Sequence, residues 1–205
     1  MKKLAIVLCA LLALTACNKE TSVKSNSNEN TAVSQTEQEP SSDKQEESNI
    51  GKKVNDPNIG TFTFVNQSGP INEEYSSGPL KLFLKSISVM GFEPTKQAKE
   101  LFGEDIKSAI FVEMKTSNAE KETNSFYPDQ GVLVVNEKEQ INADLLSSEE
   151  LGGEFIGTVE KEGVVVFYSK TPAKEIKSFK LKVDAAHDEN LNPLGEDILI
   201  DYSYK

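Results

Sequence analysis

The chain has no arginine and no tryptophan, a single histidine, and only two cysteines in 205 residues. Each shortage excludes a class of chemistry. Both cysteines, Cys9 and Cys17, lie at the very start. No disulfide staples the later sequence, and no thiolate there serves catalysis or metal binding. The lone His187 falls short of the three or four nitrogen and sulfur ligands of a usual zinc site. It sits in Asp184-Ala185-Ala186-His187-Asp188-Glu189-Asn190, a polar run that predicts a solvated loop histidine rather than a general base. An arginine-free chain of net charge −11 does not suit nucleic acid, where phosphate neutralisation and bidentate base contacts favour arginine-rich basic surfaces. Long apolar runs are missing too. The longest, Leu4 to Leu14, is about eleven residues, against the roughly 20 that span a bilayer. There is no Gly-x-Ser-x-Gly elbow and no Ser/His/Asp set.

What is present begins with an export signal. Met1-Lys2-Lys3 is a short positive start, followed by an apolar core and small residues. Leu14-Thr15-Ala16-Cys17 resembles the lipobox of bacterial lipoproteins. That resemblance implies a signal peptide over residues 1–16, a diacylglyceryl group on the Cys17 thiol, and cleavage just before it. Cys9 follows Leu8 and reads as a small apolar residue of the signal. Two acyl chains anchor stably where one binds only marginally. The expected address is the extracytoplasmic face of the cell membrane, lipid-anchored without spanning it. Loss of Lys2 and Lys3 with the signal makes the mature chain two charges more acidic still. Anionic head groups would repel it, which leaves the anchoring to the lipid. Abundant Lys and Asn without Arg suggest an AT-rich genome and lean toward a Gram-positive host.

Residues 17–57 differ in composition from the rest of the chain. After the lipidated Cys17, the segment from Asn18 to Asn49 is almost all Ser, Asn, Glu, Gln, Thr and Lys, with no aromatic residue. Such a segment cannot bury enough surface to offset its chain entropy and predicts a disordered tether. A flexible chain of about 40 residues spans roughly 35 Å. Asp56-Pro57-Asn58 and Gly60 are turn residues that mark the start of a folded domain over residues 58–205.

In that domain the apolar period is two. Thr61 to Val65, Ile110 to Thr116, Phe179 to Val183 and Ile198 to Tyr204 alternate, and Val132 to Val135 and Val164 to Tyr168 are continuous β-branched runs. Leu80, Leu82 and Leu84 share one face, and Ile87 and Val89 fall on the other unless a bulge intervenes. Two short helices are expected, Pro94 to Phe102 closed by Gly103, and Asp144-Leu145-Leu146 onward. The expected fold is all-β, a sandwich of about seven to nine strands.

Three segments carry a family resemblance. They are Ala109 to Asn118, Phe126-Tyr127-Pro128-Asp129-Gln130-Gly131, and Glu162-Gly163-Val164-Val165-Val166-Phe167. Over roughly residues 75–205 the chain resembles the DUF4352 group of secreted bacterial proteins. This implies a telokin-like, immunoglobulin-like sandwich. The group supplies no catalytic residues to carry over. The stretch from Met90 to Asp105 is longer than a usual strand connection of that fold.

Two sets of residues are candidates for binding. Phe126 and Tyr127, with Asp129 in the turn behind them, could line a ligand surface. Asp184, Asp188, Glu189 and Asn190 offer oxygen ligands of the kind Ca²⁺ takes, though without the glycine and spacing of an EF-hand loop. Leu151-Gly152-Gly153-Glu154-Phe155-Ile156-Gly157 lacks the Lys-Ser/Thr of a phosphate loop and predicts backbone bending at a sandwich edge. The functional expectation is a non-catalytic binding module of the cell envelope, with an envelope protein or wall polymer as partner. The alternatives are a ligand- or Ca²⁺-binding accessory lipoprotein and a carboxylate-based hydrolase.

Overall fold

A computed structural model of the chain describes residues 49–204. The signal segment, Cys17 and most of the polar stretch after it lie outside the described residues. The strands are β1 (Lys53–Asp56), β2 (Gly60–Gln67), β3 (Glu73–Ser77), β4 (Leu80–Pro94), β5 (Ser108–Asn118), β6 (Thr123–Phe126), β7 (Val132–Val135), β8 (Glu139–Asn142), β9 (Gly153–Ile156), β10 (Glu160–Ser169), β11 (Ser178–Val183) and β12 (Ile198–Ser203), with one α-helix, α1 (Lys96–Phe102). The fold is an all-β sandwich of antiparallel sheets.

The strand count exceeds the expected seven to nine because several strands are only four residues long. Glu139-Gln140-Ile141-Asn142 of β8, for example, carries one apolar side chain and no readable alternation. β1 lies before the boundary expected at residue 58. It pairs residue by residue with β2, from Lys53 with Thr63 to Asp56 with Gly60. The Asp56-Pro57-Asn58 turn is thus the tip of a hairpin inside the fold rather than its entrance.

The larger sheet has the order β1-β2-β4-β5-β10, with β3 paired to the first half of β4. The second sheet runs β12-β11-β7-β8, and β6 pairs with β9 as a separate ribbon. The core lies between the sheets. Leu80, Leu82, Leu84, Ile87 and Val89 of β4 meet Leu133, Phe179, Leu181, Ile198 and Ile200 of the second sheet in one buried cluster. These five residues of β4 all face inward because the register slips at Lys85, between the Leu84–Met114 and Ser86–Glu113 pairs. The extra residue restores the inward parity of Ile87 and Val89, as a bulge does.

In β10 the continuous run resolves into two faces. Val165 and Phe167 have no exposed surface and point into the sandwich. Val166 lies on the outer face yet is only 3% exposed, whereas the outward Lys180 and Lys182 of β11 stay close to half exposed.

The helix α1 forms where its signals predict. The Thr95 hydroxyl caps it by accepting from the Ala98 N–H, and Gly103 at φ +103° ends it with its N–H on the Lys99 carbonyl. The helix fills the long Met90–Asp105 connection. The second expected helix does not form. After Asp144 the chain makes one turn, with the Ser147 and Ser148 N–H groups on the Asp144 carbonyl, and then straightens.

Candidate functional site

The two sets of candidate residues lie in different surroundings. β6 alternates, so Asn124 and Phe126 point inward and Phe126 has no exposed surface. It is a core residue and not part of a ligand surface. Tyr127 faces solvent at 42% exposure. Asp129, in a 3₁₀ turn, is buried to 8% exposure, and its Oδ1 has no hydrogen-bond partner. It presses against Gly152, where a Cβ would overlap that carboxylate and the Tyr127 backbone. Gly152 is therefore a close-approach glycine, and Gly153 turns the chain at φ +102°.

The acidic segment splits as well. Asp184 pairs with Lys182 at 2.6 Å, and the same ammonium takes Asp197 at 2.9 Å. Asp188 closes a tight loop, accepting from the backbone N–H groups of Asn190 and Asn192 and from the Asn192 amide. The Asn192 side chain is the first cause of its carboxyl lying below the usual range. Asp188, Glu189 and Asn190 then rim a depression of about 280 Å³ together with Glu120, Glu122, Thr123, Asn124 and Leu194. Asp184 does not line it. Among the described residues, no group of three or more His, Cys, Asp or Glu side chains converges to hold a metal ion. His187 is half-buried, and its backbone is a strand partner rather than a free loop. Its N–H donates to Ser125 O at 2.9 Å, and its carbonyl accepts from Ser125 N at 2.8 Å.

A third region was not signalled as a site by the sequence. The outer face of the larger sheet, at the end where α1 lies, is aromatic. Phe62 stacks on Phe92 at 4.6 Å, Phe92 meets Tyr168 at 5.4 Å, and Tyr168 stacks on Phe102 of α1 at 4.2 Å. The Tyr168 hydroxyl lies 3.0 Å from Ser147 Oγ. Burial pushes this phenol up to about 12, and the Asp144 and Asp56 carboxylates add to it.

Ser147 belongs to a strap, residues 143–150, that runs along the free edge of β10. Asp144 N and Glu149 N donate to the carbonyls of Val166 and Val164. The Val166 and Val164 N–H groups donate to Ser148 Oγ and Glu149 Oε2. The strap thus closes an edge that would otherwise invite pairing. It also leaves Leu145 at 61% and Leu146 at 77% exposure, and Leu101 on α1 is 63% exposed. By local sequence the two leucines suggest a helix. The strap instead takes its hydrogen-bonding partners from β10, fifteen or more residues away, and that signal is not local.

The farther half of the same outer face is charged. Lys85 pairs with Glu113 at 2.8 Å and also with Glu162, and Lys115 pairs with Glu160 at 2.8 Å. These carboxylates are committed to lysines rather than facing one another across a cleft.

Comparison with solved structures finds one similar fold and weaker likenesses. The chain is similar to a functionally unknown protein from Listeria monocytogenes EGD-e, with a TM-score of 0.55 and 14% identity, over 71% of this chain and 89% of that one. That likeness shows the fold. Weaker similarity extends to a candidate lipoprotein, ycdA, of Bacillus subtilis (TM-score 0.45, 14% identity, 66% of this chain and 39% of that one). It extends also to the yjhA protein of Bacillus subtilis (TM-score 0.44, 11% identity, 64% and 97%). No family model and no curated protein matches the chain. Among the described residues, no helix is long and apolar enough to cross a membrane.

Proposed function

We propose that the chain is a lipoprotein of the cell envelope, anchored through Cys17 on the extracytoplasmic face, whose sandwich is a non-catalytic binding module. The observation that carries this reading is the order of parts. A lipobox, Leu14 to Cys17, precedes a long polar stretch, and a compact β unit then begins near residue 48. A lipid and a polar spacer present a folded surface to neighbours; they do no chemistry themselves. The sandwich is read as immunoglobulin-like of the DUF4352 kind on Ala109 to Asn118, Phe126 to Gly131 and Glu162 to Phe167. The first and last of these, in β5 and β10, lie on adjacent antiparallel strands. The polar stretch is read as a tether, and the partner as an envelope protein or wall polymer.

The test is cross-linking on intact cells followed by purification of the full lipidated chain. A reproducible partner, lost when the sandwich is replaced by an unrelated domain on the same anchor, supports the reading. Recovery of the chain alone at every cross-linker length counts against it.

The acidic depression favours a second reading, an accessory lipoprotein that takes a cationic ligand or Ca²⁺. It predicts that Ca²⁺ at 100 times its dissociation constant adds about 2.7 kcal/mol of stability. Melting curves that coincide with and without millimolar Ca²⁺ dismiss the Ca²⁺ form of that reading.

A further inference from the structure

We propose that the depression between residues 120–124 and the loop 188–194 binds a primary alkylammonium group, the chemistry shared by a lysine side chain and a free amine on a wall polymer. The inference rests on the binding reading of the sandwich. It adds the place and the ligand class, and it favours an organic cation over Ca²⁺.

Two segments distant in sequence make this site, and neither is a site alone. Ser125 and His187 exchange backbone hydrogen bonds, which sets the start of β6 beside the acidic loop. Buried Asn118 shapes the first segment: its Oδ1 accepts from the Glu120 N–H at 3.1 Å, and its Nδ2 donates to the Glu122 carbonyl at 2.9 Å. Asp188 shapes the second by accepting from the Asn190 and Asn192 N–H groups. Glu120, Glu122, Asp188 and Glu189 thereby reach one depression of about 280 Å³, with Leu194 as its apolar wall.

No lysine lines that depression. Lys121 lies between the two glutamates in sequence, yet it neither lines the depression nor pairs with these carboxylates. His187 helps to hold Asp188 ionised, behind the bonds from Asn192 and Asn190, and does not line the depression either.

A ring of carboxylates alone is a solvated edge; the residue that points to a ligand is Asn124. It is 3% exposed and lines the depression. Its Nδ2 donates to Asn118 Oδ1 at 3.4 Å, while its Oδ1 accepts from no group among the described residues. Unlike Asp129 Oδ1, this oxygen is not sealed inside the protein, and the depression is the space it opens on. A buried carbonyl oxygen without a donor is costly. The carboxylates call for positive charge and the carbonyl calls for an N–H. An alkylammonium supplies both, with three donors on one charge, and its methylenes suit Leu194. Ca²⁺ needs oxygens converging at bonding distance, and among the described residues no three acidic side chains do so.

The experiment uses the ¹⁵N-labelled mature chain carrying Cys17→Ser, at neutral pH and about 0.15 M salt. Binding is read from the backbone amide shifts of Thr123 and Asn190. The probes are n-pentylamine, n-pentyltrimethylammonium, which keeps the charge but has no N–H, and Ca²⁺ alone. Pentylamine is expected to bind about tenfold more tightly than the trimethyl cation, the worth of one hydrogen bond from a charged donor. Glu120→Gln with Glu122→Gln should weaken it about fivefold. Glu100→Gln with Glu104→Gln, the same loss of charge at the end of α1, should leave it within about twofold. Asn124→Leu should erase the preference for N–H; the glutamate pair carries the test if that variant does not fold. A lysine-bearing peptide and amine-bearing wall fragments then compete with pentylamine, and the tighter competitor names the source. Either must lose its competition on acetylation.

Absence of binding, equal affinity for the two organic cations, or an equal loss from the α1 glutamates overturns the proposal. So does Ca²⁺ that produces the same shifts at lower concentration, or undiminished competition by the acetylated forms. Cross-linking on intact cells separates the two ideas. If the Glu120 and Glu122 variant still captures the wild-type partner, the module stands and its site lies elsewhere; if no chain captures anything, the module reading itself fails.

Discussion

Phe167 has no exposed surface and lies in the buried cluster with residues of both sheets. Its replacement by alanine removes a ring that the surroundings cannot collapse to fill, at a cost of about 3–5 kcal/mol. Leu199, equally apolar but 59% exposed on the outer face of β12, should change stability by no more than about 0.5 kcal/mol when replaced by alanine. Urea melts of the two variants check the sandwich directly; equal small effects would remove Phe167 from the core. A run of consecutive apolar residues announces a well-covered strand without saying which parity faces inward, so sequence identified the Val164–Tyr168 strand but not its faces. The same limit explains Phe126. Its aromatic neighbour Tyr127 is at the surface, and only the alternation of β6 shows that the pair is split between inside and outside.

Glu139 carries the residue-scale prediction for pH. Burial raises its carboxyl, but bonds from Ser169, from the Lys170 N–H and from the hydroxyl and N–H of Thr171 outweigh it, and the net position is below the ordinary 4.5. A carboxyl depressed in the folded state stabilises above its unfolded value, and that contribution is lost as pH falls through the folded value. Stability should therefore decline as pH is lowered from about 5 to 3, and Glu139→Gln should make the decline shallower. Urea midpoints across that range are the measurement, and an unchanged slope in the variant would show that the Glu139 contacts do not form in solution.

At the scale of elements, the strap is the part that local sequence could not reveal. Asp144-Leu145-Leu146 has an N-cap residue and helix formers, and it does make one turn. The unpaired edge of β10 then competes for the next backbone groups and wins, since a buried N–H without a partner is costly. Ser148→Ala removes the acceptor of the Val166 N–H. The expected cost is about 1–3 kcal/mol, the penalty for an orphaned donor. Hydrogen exchange should show faster exchange at Val166 with little change at Val112, its partner's neighbour on β5; unchanged protection at Val166 would mean the strap does not seal the edge. By contrast, the β4 bulge and helix α1 were legible. Their signals are short-range: a parity break between Leu84 and Ile87, a capping Thr95 and a closing Gly103. The acidic loop was legible as a cluster but not as a site, because Lys182 and the Asn190–Asn192 turn engage Asp184 and Asp188 separately.

For the whole molecule, the apolar alternation was enough to give the all-β class. The boundary was off by several residues, because β1 is polar and is recognised only by its pairing with β2. The folded unit has no cysteine and no cross-link, so its stability comes from the core between two sheets. On the proposed reading the net charge of −11 works against adsorption to an anionic membrane and the lipid alone holds the chain there, so detachment should follow from loss of one thiol rather than from any change in the sandwich.

The measurement that tests this most directly is metabolic labelling with a fatty acid in cells producing the wild-type chain or Cys17→Ala, followed by separation of membranes from medium. Wild type should carry label and sediment with membranes, while Cys17→Ala should carry none and be either an uncleaved precursor or released. A Cys17→Ala chain that is labelled and membrane-bound like wild type would contradict it.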